Sequence, residues 1–559
     1  MGSNFCYVQW GNESIMDIRP VATKPFAGQK PGTSGLRKKV DVFQQPHYLA
    51  NFVQSIVNSL PRDQRDCLVV GGDGRYFNAE ATQIILQVLV GNGIKQVLVG
   101  AGGLLSTPAV SHLIRKSNAN GGIVLSASHN PGGPGKDFGI KFNNASGSPA
   151  PEAVTQAIYQ NTQSISQYLA ADLPPVDLAV GEEYRFAETT IKVVDSVDDY
   201  AQLMQSLFDF DKISEAIQST RLSLCFDGMH AVTGPYATRI FKDLLGLPDR
   251  ALKNCVALAD FGGGHPDPNR VYARELYDFM MTDEAPELGA ASDGDGDRNM
   301  ILGRKAFVSP SDSLALIAQH HQSIPQFKSG LVGVARSMPT STALDRVAQH
   351  LNVSCYETPT GWKFFGNLLD EGLVRLCGEE SFGTSGDHVR EKDGVWTVLC
   401  WLSILADQQR PVSELLRQHW TAFGRSYYCR HDYEGLEADK AQTIMDQLVR
   451  NSGSILGRTV NGMTVSDVNV FSYEDPVDGS VAHNQGVRVQ FDDQSRVVYR
   501  LSGTGTDAAT LRVYLEQIER DATNQGADAI EYNDVLGEFA NHIAQIREVS
   551  GLSQPSVKT

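Results

Sequence analysis

The chain has 559 residues, 41% hydrophobic and 20% charged, with a formal net charge of −17. One hydrophobic core does not grow to that length, so several domains are expected, roughly three to five. The composition is that of an ordinary soluble protein, and the negative charge argues against nucleic acid or an anionic membrane surface as a partner.

Eight cysteines (Cys6, Cys67, Cys225, Cys255, Cys355, Cys377, Cys400 and Cys429) are scattered without a CxxC pair. That pattern fits buried thiols in a reducing cytosol, not a disulfide frame or a zinc site. The longest apolar run, Val395 to Ala406, is too short to span a bilayer. The N-terminus lacks a signal-peptide core. Met1-Gly2 begins a myristoylation pattern, but Cys6 stands where Ser or Thr is wanted. The expected location is cytoplasmic.

Residues 1–27 read as an irregular polar arm. Gln29 to Arg37 then places small hydroxyl residues among glycines ahead of a guanidinium, a plain turn or an anion-binding segment. Leu49, Phe52, Val53, Ile56, Val57 and Leu60 fall on one helical face. Leu68-Val69-Val70 and Val97-Leu98-Val99 read as strands, and Ser106-Thr107-Pro108 as a capped helix start. Ile123-Val124-Leu125 is a third strand. It runs into Ser126-Ala127-Ser128-His129, then into Asn130-Pro131-Gly132-Gly133, a turn or loop. Ser128 therefore sits at a strand end on a tight loop, where an α/β protein presents a nucleophile or binds a ligand. Lys141, on the next extended piece, can return a positive charge to it.

The order of strand, helix, strand, helix, strand and special loop recurs twice. From Leu222 it runs through Asp227-Gly228, a helix near Tyr236 to Leu245, a short strand at Cys255–Leu258, and Leu288 to Ala291 before Asp293. From Gly330 it runs to Arg336, then a helix at 341–351, a strand at 353–356, and Leu373 to Cys377 before Glu379. Three related α/β domains with mixed sheets are expected, each delivering one loop to a central cleft. After about residue 425 the pattern changes. Val487, Val489 and Phe491 alternate with polar residues, Asp492 to Ser495 turn the chain, and Val497, Tyr499 and Leu501 alternate back. A further strand at Leu511 to Leu515 and helices to about Val549 make an α+β domain with an antiparallel sheet. The boundaries fall at 1–195, 196–306, 307–425 and 426–559.

Ser292 to Arg298 alternates Asp293, Asp295 and Asp297 with glycines, so the backbone can curl and aim three carboxylates at one point. Such a cluster calls for a hard cation, Mg²⁺ or Ca²⁺. An EF-hand needs Gly at the sixth and Glu at the twelfth loop position, and Arg298 and Arg304 stand there. Mg²⁺ completed by a phosphate oxygen fits better. Glu379 and Glu380, read alone, are ordinary surface acids. Arg500-Leu501-Ser502-Gly503-Thr504-Gly505 follows a strand and reads as a turn or a phosphate cradle.

Ser126-Ala127-Ser128-His129-Asn130-Pro131 resembles the phosphoserine loop of the α-D-phosphohexomutases, and Pro131 to Phe142 resembles the phosphoglucomutase branch, which includes parafusin-like members. The resemblance spans nearly the whole chain. It implies that Ser128 carries a transferable phosphoryl group as phosphoserine, and that Asp293, Asp295, Asp297 and the phosphoserine bind Mg²⁺. Arg298, His129 and Lys141 would neutralise charge on the phosphoryl. Thr33 and Arg37 belong to the N-terminal active-site segment. Thr360, Gly361, Glu379 and Ser381 would contact sugar hydroxyls. Lys392 would transfer a proton, since a buried lysine can have its pKa lowered enough to act as a base; His129 is a second acid–base candidate. Arg500, Ser502, Gly503, Thr504 and Arg512 would hold the distal phosphate, with Asp507 as an unusual acid nearby. Thr384-Ser385-Gly386 departs from the family's common order. The expected activity is interconversion of glucose 1-phosphate and glucose 6-phosphate through glucose 1,6-bisphosphate. Phosphomannomutase and a scaffold or trafficking role are the alternatives. Small-molecule sugar phosphates are the expected partners of a monomer or weak dimer, so the cleft must be locally positive despite the overall charge.

Overall fold

The computed structural model describes residues 17–32, 34–219, 221–502 and 509–559. Three of its sheets share one four-strand order. In the first, Gln96–Leu104, Cys67–Gly72, Gly121–Leu125 and Asp137–Asn144 lie side by side. In the second the order is Leu252–Lys253, Leu224–Asp227, Leu288–Ser292 and Asn299–Gly303. In the third it is Ser354–Thr358, Gly333–Ser337, Leu376–Glu379 and Gly383–Gly386. Each time the first three strands are parallel and the last is antiparallel. The strands Cys67–Gly72, Leu224–Asp227 and Gly333–Ser337 are buried throughout, as the parallel centre of a two-sided sheet requires. The special loops therefore leave equivalent strand ends and converge.

Local signals account for the flanking elements. The apolar stripe from Leu49 forms helix Tyr48–Ser59, and Ser106 Oγ accepts from Ala109 N at 3.3 Å to start helix Thr107–Ser117 with Pro108 in its first turn. The run Val395 to Ala406 becomes the interior of helix Gly394–Gln408, with Trp396 and Trp401 at 0% exposure. Among the described residues no helix is long and apolar enough to cross a membrane. One apolar cluster threads all three mixed sheets, from Cys67 to Leu416. The fourth sheet has seven antiparallel strands, including the hairpin Val487–Phe491 and Arg496–Ser502, and a core of its own. It is tied to the third by a small apolar cluster, in which Met338 packs with Phe471, Tyr473, Val498 and Tyr514, and by polar contacts. Glu516 accepts from Thr342 N at 2.9 Å, and Arg496 Nη1 donates to Met338 O at 2.7 Å.

The structure corrects two readings. The short strand of the second sheet is Leu252–Lys253, not Cys255–Leu258. Asn254 turns left-handed at φ 51°, and its carbonyl accepts from His230 N at 2.8 Å, so this backbone serves a loop instead of the sheet. The arm before residue 27 contains a strand, Ile18–Ala22, because Gln167–Ala171 offers it an antiparallel partner. The expected boundary at 425/426 meets a long strand of the fourth sheet, Arg425–Leu436.

His419 yields a pH prediction. It is 0% exposed, its Nδ1 lies 2.7 Å from Gln319 Oε1, and its Nε2 has no partner, so burial holds its pKa at about 3 instead of 6.5. The unfolded chain binds a proton here below about 6.5 and the folded chain does not. The stability is therefore full above that value and lost as pH falls toward 3. From pH 7 to pH 5 this group alone costs about 2 kcal/mol. Urea unfolding of a His419→Gln variant should show a flatter acid slope; an unchanged slope would refute the assignment.

Candidate active site

The loop after Gly121–Leu125 holds Ser128 in the left-handed region at φ 51°. Such a conformation costs a non-glycine residue of order 1–3 kcal/mol unless its surroundings enforce it. They do. Ser128 N donates to Ser126 Oγ at 2.7 Å, and the buried Arg75 donates through Nη2 to Ser128 O at 2.7 Å. Arg75 also donates to Asp137 O at 3.0 Å and pairs with Asp73, so one guanidinium fixes both ends of the loop. The strained residue thereby turns its hydroxyl across to the second sheet, where Ser128 Oγ donates to Asp293 Oδ2 at 3.0 Å.

The aspartate loop presses against this backbone. A Cβ on Gly294 would fall 2.3 Å from Ser128 O, so only glycine allows the approach. Asp293, Asp295 and Asp297 are buried, with one oxygen of each lying within 4.8 Å of the others. Asp293 Oδ1 accepts from the amides of Asp297 and Arg298, each at 3.0 Å. Thr107 Oγ1 donates to Asp295 Oδ2 at 2.7 Å, and Lys141 Nζ lies 3.1 Å from that oxygen. Lys392 Nζ meets Asp297 Oδ2 at 2.8 Å. The opposite oxygens, Asp295 Oδ1 and Asp297 Oδ1, are buried without a hydrogen-bond partner. Orphaned carboxylate oxygens beside a serine hydroxyl are a donor set suited to a hard divalent cation, and the residues fit one.

The charges reinforce each other across sheets. Burial and its two acidic neighbours push Asp293 well above the usual carboxylate range, whereas Lys141 and Thr107 overcome burial to hold Asp295 below it. Burial, Arg298 and Arg37 drive the His129 imidazole well below its usual value, so it is neutral at neutral pH. Its Nδ1 lies 3.3 Å from Ser128 Oγ. Lys392 departs from the sequence expectation. Burial does lower its pKa, but Asp297, Glu391 and Glu379 outweigh burial and leave a net rise. Its ammonium is the stable form.

Ser128, His129, Lys141, Asp297 and Arg298 line one cleft of about 950 Å³ with Arg37, Thr360, Gly361, Glu379, Ser381, Lys392, Arg500, Ser502 and Arg512. Asp293 and Asp295 lie just behind. Glu379 and Glu380 are 5% and 6% exposed, not surface acids. Glu379 Oε1 accepts from Gly361 N at 2.8 Å, and Thr360 Oγ1 is buried without a partner, facing the cleft. Arg298 Nη1 lies 3.6 Å from Asp267 Oδ1. On the fourth sheet Arg500 and Arg512 are direct cross-strand partners. Thr33, Gly503, Thr504 and Asp507 lie outside the described residues. Sequence reasoning missed Thr107, Arg75 and Arg430. Arg430 shares the cleft face of the fourth sheet with Arg512, its strand running antiparallel alongside. Asp73-Gly74-Arg75 stood at a strand end and Thr107 in a helix's first turn, both visible signals.

The family descriptions for Phosphoglucomutase/phosphomannomutase alpha/beta/alpha domains I, II and III match residues 28–169, 198–306 and 309–423. That for the Phosphoglucomutase-1 C-terminal domain matches 425–556. The chain belongs to the phosphoglucomutase/phosphomannomutase family. Within it, the chain is 52% identical to a cytoplasmic phosphoglucomutase of Bromus inermis, over 98% of this chain and 100% of the relative. It is 50% identical to a chloroplastic phosphoglucomutase of Arabidopsis thaliana, over 98% and 90%. The open form of pp63/parafusin (phosphoglucomutase) from Paramecium superposes with TM-score 0.90 at 48% identity, over 97% of this chain and 99% of that one.

If the orphaned oxygens await a cation, a divalent metal at about 100 times its Kd should stabilise the fold by about 2.7 kcal/mol, read as a rise in melting temperature. Asp295→Ala should abolish most of that rise. An equal rise in the variant would show that the ion binds elsewhere.

Proposed function

We propose that this cleft interconverts α-D-glucose 1-phosphate and glucose 6-phosphate through a phosphoserine at Ser128 and a glucose 1,6-bisphosphate intermediate. The observation that carries the reading is the hydroxyl of Ser128, held in a strained turn and aimed at the three buried aspartates. Relatives at 48–52% identity bear the name phosphoglucomutase, which favours glucose over mannose as the sugar. The cytoplasmic location is part of the proposal.

In the forward step a free sugar hydroxyl attacks the phosphorus on Ser128. The bond from phosphorus to Ser128 Oγ breaks, a bond to the sugar oxygen forms, and the hydroxyl proton is replaced by one on Ser128 Oγ. A divalent ion bound by Asp293, Asp295, Asp297 and the phosphoserine, Mg²⁺ by its preference for oxygen donors, would neutralise charge on the phosphoryl. Arg298, Lys141 and Arg37 add fixed positive charge, which phosphoryl transfer needs more than covalent help. His129, neutral and beside Ser128 Oγ, is one group assigned to proton transfer. Lys392, an ammonium beside Asp297, is the other. Thr360, Gly361, Glu379 and Ser381 hold sugar hydroxyls, and leaving such buried polar groups unpaired penalises a wrong sugar. Arg500, Ser502 and Arg512, with Thr33, Gly503 and Thr504, are assigned to phosphate. The bisphosphate then presents its other phosphate to Ser128, which takes it back.

Ser128→Ala should lower turnover by several orders of magnitude while glucose 1-phosphate still binds, measured by coupled assay and calorimetry. Activity near that of the wild type would remove the phosphoenzyme step.

A further inference from the structure

Five consecutive residues after the third sheet each bond to a residue from an earlier sheet's segment. Arg390 N donates to Ser111 Oγ at 2.9 Å, and Glu391 Oε1 accepts from Asn143 Nδ2 at 2.9 Å. Lys392 Nζ meets Asp297 Oδ2 at 2.8 Å. Asp393 Oδ1 accepts from Tyr200 OH at 2.6 Å, and Gly394 N donates to Gly296 O at 3.1 Å. A Cβ on Gly394 would lie 2.3 Å from Arg298 O, so this stretch lies directly against the aspartate loop.

Asp393 is the hinge pin of the stretch. It is 0% exposed and caps helix Gly394–Gln408 by accepting from Trp396 N at 3.0 Å. Its other oxygen lies 2.9 Å from His388 Nε2. Both of those partners are its own near neighbours. Tyr200, on helix Ser196–Leu207, is its partner from a distant segment and is 1% exposed. Burial and the Asp393 carboxylate push the Tyr200 hydroxyl well above its usual pKa, so it remains a proton donor.

We propose that Tyr200 is a positioning residue for the phosphoryl transfer: its hydroxyl holds the Asp393 carboxylate and so fixes the backbone that aims Lys392 at Asp297 and the cleft. The proposal rests on the mutase reading given above. Tyr200 OH and Trp396 N share Asp393 Oδ1, so removing the hydroxyl leaves that buried oxygen with the helix amide as its one remaining donor. The carboxylate then turns toward its remaining partners, and the adjacent peptide, which carries Lys392, turns with it. Phosphoryl transfer depends on placement, so a small displacement of a reacting group costs rate more than it costs substrate binding.

The test compares wild type, Tyr200→Phe and Tyr499→Phe. Tyr499 OH donates to Ala540 O at 2.8 Å in the fourth sheet's core, so its variant loses a buried hydroxyl remote from Lys392. Tyr200→Phe is expected to lower kcat about tenfold or more, as loss of a supporting contact does, with KM for glucose 1-phosphate unchanged within about twofold. Amide hydrogen exchange across residues 389–394 is expected to accelerate. Tyr499→Phe is expected to lose some thermal stability but keep its kcat and the slow exchange of that stretch. A Tyr200→Phe variant with more than half the wild-type kcat would overturn the proposal, as would exchange no faster than in Tyr499→Phe. If the wild type showed no mutase turnover, the functional reading would fall, while the exchange comparison would still decide whether Tyr200 orders the lysine's segment.

Discussion

Three carboxylates buried together are the constraint on which the rest of the molecule depends. Oxygens of Asp293, Asp295 and Asp297 lie within 4.8 Å of one another. At that separation and an effective dielectric of about 20, each pair would repel by roughly 3–4 kcal/mol with both members ionised, and burial together with this repulsion pushes Asp293 toward its neutral form. The second sheet, which supplies all three, offers Arg298 and two backbone amides against them. The remaining cations come from elsewhere, Lys141 from the first sheet and Lys392 from the third. The acidic point is therefore completed only when three sheets assemble, and one apolar cluster runs through all of them.

The two ends of the cleft solve opposite electrostatic problems. At the serine end, carboxylates and cations interleave, and the site gains an appetite for a divalent ion. At the far end, Arg500 faces Arg512 across one pair of strands, with Arg430 beside them, and Asp432 is the nearby acid. A chain of net charge −17 thus concentrates guanidinium groups on a single sheet face. In the proposed reaction that face holds whichever phosphate is not reacting. The fourth sheet keeps its own core and joins the third through a small apolar cluster around Met338 and through hydrogen-bonded polar groups, so the distal arginines rest on a body with a core distinct from the serine loop's.

Much of this was readable from local patterns. Apolar runs ending in Gly, Ser and Asp marked the three loop-bearing strands, alternation marked the hairpin, and glycines between aspartates marked the acidic loop. What escaped was detail set by particular partners distant in sequence. The strand read at Cys255–Leu258 looked apolar enough, but Asn254 turns the chain and its carbonyl is used by His230. Glu379 and Glu380 looked like surface acids because nothing nearby says that Gly361 and Thr340 will bury them. The lysine expected to be a ready base is instead stabilised as an ammonium, because the carboxylates around it come from separate stretches that no short window contains.

The central claim is that one serine lends and reclaims the phosphoryl group. Incubating the enzyme with glucose 1,6-bisphosphate carrying labelled phosphate, then mapping the label by mass spectrometry, tests it most directly. The account predicts label on Ser128 alone, approaching one per chain, and its removal by unlabelled glucose 1-phosphate. An unlabelled chain, or label lodged on any other residue, would contradict it.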